Sequence, residues 1–75
     1  MKLEEIFCEV FSVSENAIED LTQLKDIASW DSMTHMILIT RLEEVFNTRL
    51  SGDEIADMET MGDARRFLSE RGISL

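Results

Sequence analysis

Apolar residues recur at helical spacing from the start of the chain. Leu3, Ile6, Phe7, Val10 and Phe11 fall at i, i+3, i+4, i+7 and i+8. That spacing gives one apolar face and predicts a first helix over about residues 2–12. Between Val13 and Trp30 the period weakens, and Ser14, Asn16, Thr22 and Ser29 interrupt it. This stretch reads as a long loop tacked down by Ile18, Leu21, Leu24 and Ile27, and loops of such length in small domains are functional or ordered by packing. The period returns in a second helix from Ser32 to Phe46, with Asp31 or Ser32 as its N-cap. Ser51-Gly52-Asp53-Glu54 has the Ser-x-x-Glu form of a capping box and opens a short third helix through Met58. Thr60-Met61-Gly62-Asp63 repeats the pattern with Asp in the last place. It opens a fourth helix whose inward stripe is Ala64, Phe67 and Leu68 and which Gly72 stops. No stretch alternates with period two, and there is no proline. The predicted fold is all-α, a small four-helix bundle with a short third helix, and residues 1–75 form a single domain.

The second helix does not project a single apolar stripe. At 100° per residue, Leu38, Ile39, Leu42, Val45 and Phe46 share one side and can face a core. Met33, Met36 and Ile37 gather on the opposite side with Thr40 and Glu44, where a lone small bundle has nothing left to bury them against. That second stripe has the character of a docking surface, because unbranched, polarizable methionine repacks against different partners. The alternative is that the long loop folds over it.

Charge and size narrow the function. The chain has 75 residues, 16 acidic and 7 basic, for a formal net charge of −9. A domain of this length buries only ~60% of the surface its unfolded chain exposes, which argues against a deep enzyme cleft. The charge repels nucleic acid and anionic membranes and favours protein partners with basic patches. A single cysteine excludes an intrachain disulfide, and the charged Met-Lys-Leu-Glu-Glu start interrupts any apolar signal core, so a cytoplasmic, monomeric protein is expected. No apolar run approaches the roughly 18–20 residues needed to span a bilayer, so no membrane insertion is expected.

The candidate chemistry centres on Trp30-Asp31-Ser32-Met33, set before the apolar run Met36-Ile37-Leu38-Ile39. It puts a serine hydroxyl at the mouth of a helix, where free N–H groups and a partial positive charge favour an anionic group. Leu42-Glu43-Glu44-x-Phe46 closes that helix, Asp53-Glu54 opens the third and Met61-Gly62-Asp63-Ala64 the fourth. Taken together, from Ser32 to the fourth helix, this set resembles the acyl carrier protein family. The resemblance implies a non-catalytic carrier with 4′-phosphopantetheine, donated by coenzyme A, joined covalently to Ser32 through a phosphodiester. Asp31 would help a phosphopantetheinyl transferase position the serine, and Met33, Met36, Ile37, Thr40, Glu43 and Glu44 would form the partner surface. The implied partners are that transferase, an acyl- or aminoacyl-loading ligase, and synthase or transferase enzymes with basic or apolar docking patches. The terminal thiol of the arm would hold acyl intermediates as thioesters for fatty acid, polyketide or related biosynthesis. An aminoacyl or peptidyl carrier loaded by an adenylating enzyme is the alternative, and an unmodified helical adaptor a third reading.

The departures from the family pattern shape these expectations. Thr34, Ile37, Thr40 and Arg41 stand where carriers of primary fatty-acid synthesis usually bear several acids, so docking is expected to lean on apolar contact and a specialised pathway is favoured. Where fatty-acid carriers can admit a chain between the second and third helices, the matching Leu42, Phe46, Leu50, Ile55 and Met58 are bulky enough to make a filled core. His35, three residues after Ser32, could accept its proton, but without a third group it reads as a partly buried packing residue. Cys8 lies off the main stripe and reads as a half-exposed thiol. Trp30 is either a partner anchor or a cover for the end of the bundle. One histidine and one cysteine do not make a zinc site, whereas Glu43, Glu44, Asp53, Glu54 and Asp57 could bind divalent ions loosely. Arg65, Arg66 and Arg71 read as a solvated face of the fourth helix.

Overall fold

A computed structural model describes residues 2–75 of the chain. Its helices are α1 (Leu3–Phe11), α2 (Ser32–Phe46), α3 (Gly52–Asp57) and α4 (Met61–Glu70), and the α1–α2 loop contains two single 3₁₀ turns, Glu15–Ala17 and Leu24–Asp26. The bundle predicted from the sequence is the one observed, with each helix within a residue or two of its expected ends. α1 stops at Ser12 and α2 at Asn47, each in the left-handed region with φ of 56° and 51°. Their amides return to the carbonyls of Cys8 and Glu43, a turn that asparagine tolerates better than most residues.

The core is wholly apolar. Leu3, Ile6, Phe7 and Phe11 of α1 meet Leu38, Ile39 and Leu42 of α2 and Met61, Ala64, Phe67 and Leu68 of α4, while Ile18, Leu24, Leu50 and Met58 enter from the connections. No polar side chain is buried among the described residues. Val45, grouped by the helical period with the core side, is instead exposed, at the last turn before the chain leaves α2.

The long loop is ordered by its bonds to the α3–α4 connection and to the first turn of α4. Leu24 N–H donates to the Glu59 carbonyl (2.8 Å), Gly62 N–H donates to the Asp20 carbonyl (3.0 Å), and Gln23 pairs with Thr60 in an isolated antiparallel bridge. At Gly62 a Cβ would stand 2.9 Å from the Asp20 oxygen, so this approach needs glycine. Leu21, expected to tack the loop down, is 87% exposed. It sits in the tight turn closed by the Thr22 N–H to Glu19 carbonyl bond (3.1 Å), between the two tethered points, and the turn carries its side chain outward.

Arg65 of α4 and Arg71 at its C-terminal cap are structural ties, contrary to the solvated face predicted for them, whereas Arg66 keeps to that expectation. Arg65 bonds Glu4 of α1 (2.5 Å) and Asp20 of the loop (3.1 Å), holding the Glu4 carboxyl below its usual range. Arg71 binds the Glu54 carboxylate and the Arg49 carbonyl (3.0 Å), fastening α3 to the end of α4. Arg66 alone stays mostly in solvent, beside Asp63 and over the Phe67 ring.

Candidate functional site

Ser32 is the first residue of α2 and is exposed, and its hydroxyl makes no hydrogen bond to any described residue. The cap is Asp31. Its Oδ1 accepts the Thr34 N–H (2.8 Å), and the Thr34 hydroxyl accepts the Asp31 N–H (2.8 Å), a reciprocal capping box. The Thr34 amide and hydroxyl hold the Asp31 carboxyl below the ordinary aspartate range. One of the free amides at the helix mouth is thereby already taken by a carboxylate. Ser32 is left with no capping duty, and the helix start serves to aim its hydroxyl outward.

His35 faces away from the serine. Its Nδ1 accepts the Trp30 indole N–H (3.2 Å), and its Nε2 lies 3.0 Å from the Ile55 carbonyl of α3. Because a carbonyl only accepts, the neutral tautomer protonated at Nε2 satisfies both contacts. Both ring nitrogens are committed, so no base is directed at Ser32. Trp30 covers the bundle end, edge-on to the imidazole with ring centroids 5.9 Å apart.

Beside Ser32 opens a groove of about 470 Å³, lined on its apolar side by Leu24, Trp30, Met36, Ile55, Ala56 and Met58, with His35 in its wall. Of the residues expected on a path between α2 and α3, only Ile55 and Met58 line it; Leu42 and Leu50 are buried in the filled core. Trp30, His35 and Met36 line it unforeseen as a group, although Trp30 and His35 lie two residues before and three after Ser32.

The expected partner surface is brought together in part. Met33 is 74%, Met36 50% and Ile37 46% exposed, and the loop does not fold over them. With Thr40 and Arg41 they line a shallow hollow of about 310 Å³, with Thr40 bonded to its own helix at the Met36 carbonyl (3.0 Å) and Arg41 paired to Glu9 of α1 (3.3 Å). Glu44 is exposed. Glu43 departs from the expectation, because its carboxylate accepts the Leu50 N–H (2.9 Å) and is half-buried against the loop that follows α2. The expected loose ion site is not assembled either. Among the described residues no three potential ligands come together, and Glu54 is taken up by Arg71 and the Ser51 amide. Cys8 is half-buried, as expected, and burial together with Glu15 and Glu4 pushes its thiol up.

Residues 2–68 match the family model described as the phosphopantetheine attachment site. The chain belongs to this carrier family. It is similar to an acyl carrier protein of Acidothermus cellulolyticus, 26% identical over 72 residues that span 96% of this chain and 86% of the relative. A solved holo acyl carrier protein from Nitrosomonas europaea is 27% identical and superimposes with a TM-score of 0.79 over 92% of this chain and 89% of its own. A Mycobacterium tuberculosis structure, 24% identical with a TM-score of 0.78 over 93% and 99% of the two chains, agrees in fold. The chain is therefore an acyl carrier of the type that takes 4′-phosphopantetheine, a non-catalytic role served by transferases and synthases. No helix among the described residues is long and apolar enough to cross a membrane.

Proposed function

We propose that the Ser32 hydroxyl is the attachment point of the phosphopantetheine arm. The observation that supports this reading is a free, exposed hydroxyl at the first position of α2, oriented by a cap that does not use it. The residues fit the group, since an attached phosphate would stand at the open mouth of the helix with no side chain across it. When bound, the arm supplies a terminal thiol that holds an acyl group as a thioester. Asp31 fixes the helix start and presents a negative charge next to the serine, a handle for the metal or a basic residue of the transferase. With His35 committed on both sides, the proton of Ser32 leaves to a base on the transferase.

Partner enzymes dock on Met33, Met36, Ile37 and Thr40, with Asp31 and Glu44 at the two ends of the stripe. The first two turns of α2 contain no acid, so apolar contact dominates and recognition is less salt-sensitive than charge-led docking. The cargo is an acyl group of a specialised pathway, handled in the cytoplasm by a monomeric carrier. Intact mass tests the attachment after incubation with coenzyme A, Mg²⁺ and a promiscuous phosphopantetheinyl transferase. One added phosphopantetheine on the native chain and none on Ser32→Ala is expected, whereas addition to both would move the site elsewhere. Loading with acyl donors, against amino acids plus ATP, separates acyl from aminoacyl cargo.

A further inference from the structure

Trp30, His35 and Ile55 form a run of hydrogen bonds that crosses from the loop through α2 to α3, within a helical turn of Ser32. The Ile55 carbonyl belongs to the last turn of α3, where carbonyls lack intrahelical partners. In a longer helix the Glu59 amide would pair with it, but that N–H donates to Asp63 Oδ2 instead (2.9 Å). The imidazole of His35 therefore takes the place of a missing backbone donor. α3 fully buries none of its six residues and only Ile55 packs partly against the core, so polar ties add to its hold: Arg71 at its start and His35 at its end.

Two spaces meet at this seam. Outside lies the groove walled by Trp30, Met36 and Ala56, with the core residues Leu24 and Met58 at its floor; further in lie the fully buried Leu38 and Leu42. Ser32 itself lines the groove, so a chain extending from it meets this space first. Parting α2 from α3 to reach deeper, toward Leu38 and Leu42, breaks the His35 to Ile55 bond and leaves a half-buried ring nitrogen and a carbonyl unpaired.

We propose that His35 is a bolt across the α2–α3 seam, a positioning residue that keeps a thioester-borne acyl chain in the outer groove and out of the core. The proposal rests on Ser32 as the attachment point. It makes His35 a determinant of how this carrier displays its cargo, with the acyl chain within reach of a docked enzyme.

The test loads the native protein, His35→Ala, His35→Gln and Trp30→Phe with acetyl or octanoyl arms and follows thioester cleavage by hydroxylamine. In His35→Ala the octanoyl thioester should cleave about tenfold more slowly than in the native protein, as for a chain sheltered about nine-tenths of the time, with acetyl cleavage unchanged. The His35→Gln amide can donate to the Ile55 carbonyl and accept from Trp30, so it should restore the native rate. Trp30→Phe keeps a ring but removes the indole donor, and should slow octanoyl cleavage part-way even if His35→Ala fails to fold. Octanoyl cleavage at the native rate in folded His35→Ala, or in Trp30→Phe where His35→Ala does not fold, overturns the bolt. Intact mass of each sample reports the arm separately, so absence of the arm from every variant would refute the attachment reading and, with it, this one.

Discussion

α1 and α3 are held in the same bundle by opposite means. α1 buries Leu3, Ile6, Phe7 and Phe11 and depends on area removed from water. α3 fully buries none of its own residues, packs only Ile55 partly on the core, and depends far more on Glu54, Ser51, Arg71 and His35. The first kind of attachment is indifferent to pH and mild salt, whereas the second responds to both. The responsive helix is the one that walls the groove beside Ser32, so the site is built where the fold is easiest to loosen.

The largest expected effect comes from breaking the apolar side. Phe7→Ala should cost about 3–5 kcal/mol, enough to unfold much of so small a domain, and urea titration would read it. Gly62→Ala should follow at about 1–3 kcal/mol, because its methyl meets the Asp20 carbonyl and the loop must shift. A fall in stability of less than a few tenths would mean that the loop is not held as described.

Glu54→Gln should cost about 0.2–1 kcal/mol, with faster amide exchange confined to α3. Arg71 and the Ser51 amide lower the Glu54 carboxyl from 4.5 to about 2. Its contribution is therefore fully present above pH 4.5 and is lost as pH falls toward about 2. Acid should thus loosen α3 in the native protein, and Glu54→Gln should flatten that part of the profile. Ser32→Ala should be the mildest, within about 0.5 kcal/mol, because Asp31 and not the serine caps α2. Asp31→Ala should destabilise more than Ser32→Ala in the same thermal melt, and the reverse order would return the cap to the serine.

What the sequence disclosed was local. Ser51 with Glu54, and Thr60 with Asp63, are three residues apart, and their boxes form as the spacing implies. The opposed stripes of α2 were legible because Met33, Met36 and Ile37 fall on one helical side. What stayed hidden depends on residues distant in the chain. Arg65 finds Glu4 and Asp20 across 61 and 45 residues, and no periodicity announces that. Glu43 looked like surface because nothing in its own helix shows that the Leu50 amide returns to it. His35 could be read as a packing residue, but its partner in α3 lies 20 residues on and is a backbone atom, to which every residue type is equal.

The stapling of the α1–α2 loop divides it into two parts with different engineering tolerance. Residues 14–17 are exposed and lie before the first tether, so an inserted epitope or fluorophore loop can be grafted there without disturbing the helices. Residues 20–24 are bonded to the α3–α4 connection, and an insertion among them would pull on α4 and on the wall of the groove. A sensor domain grafted at the first position would ride passively, whereas one grafted at the second would report strain at the serine end of the bundle.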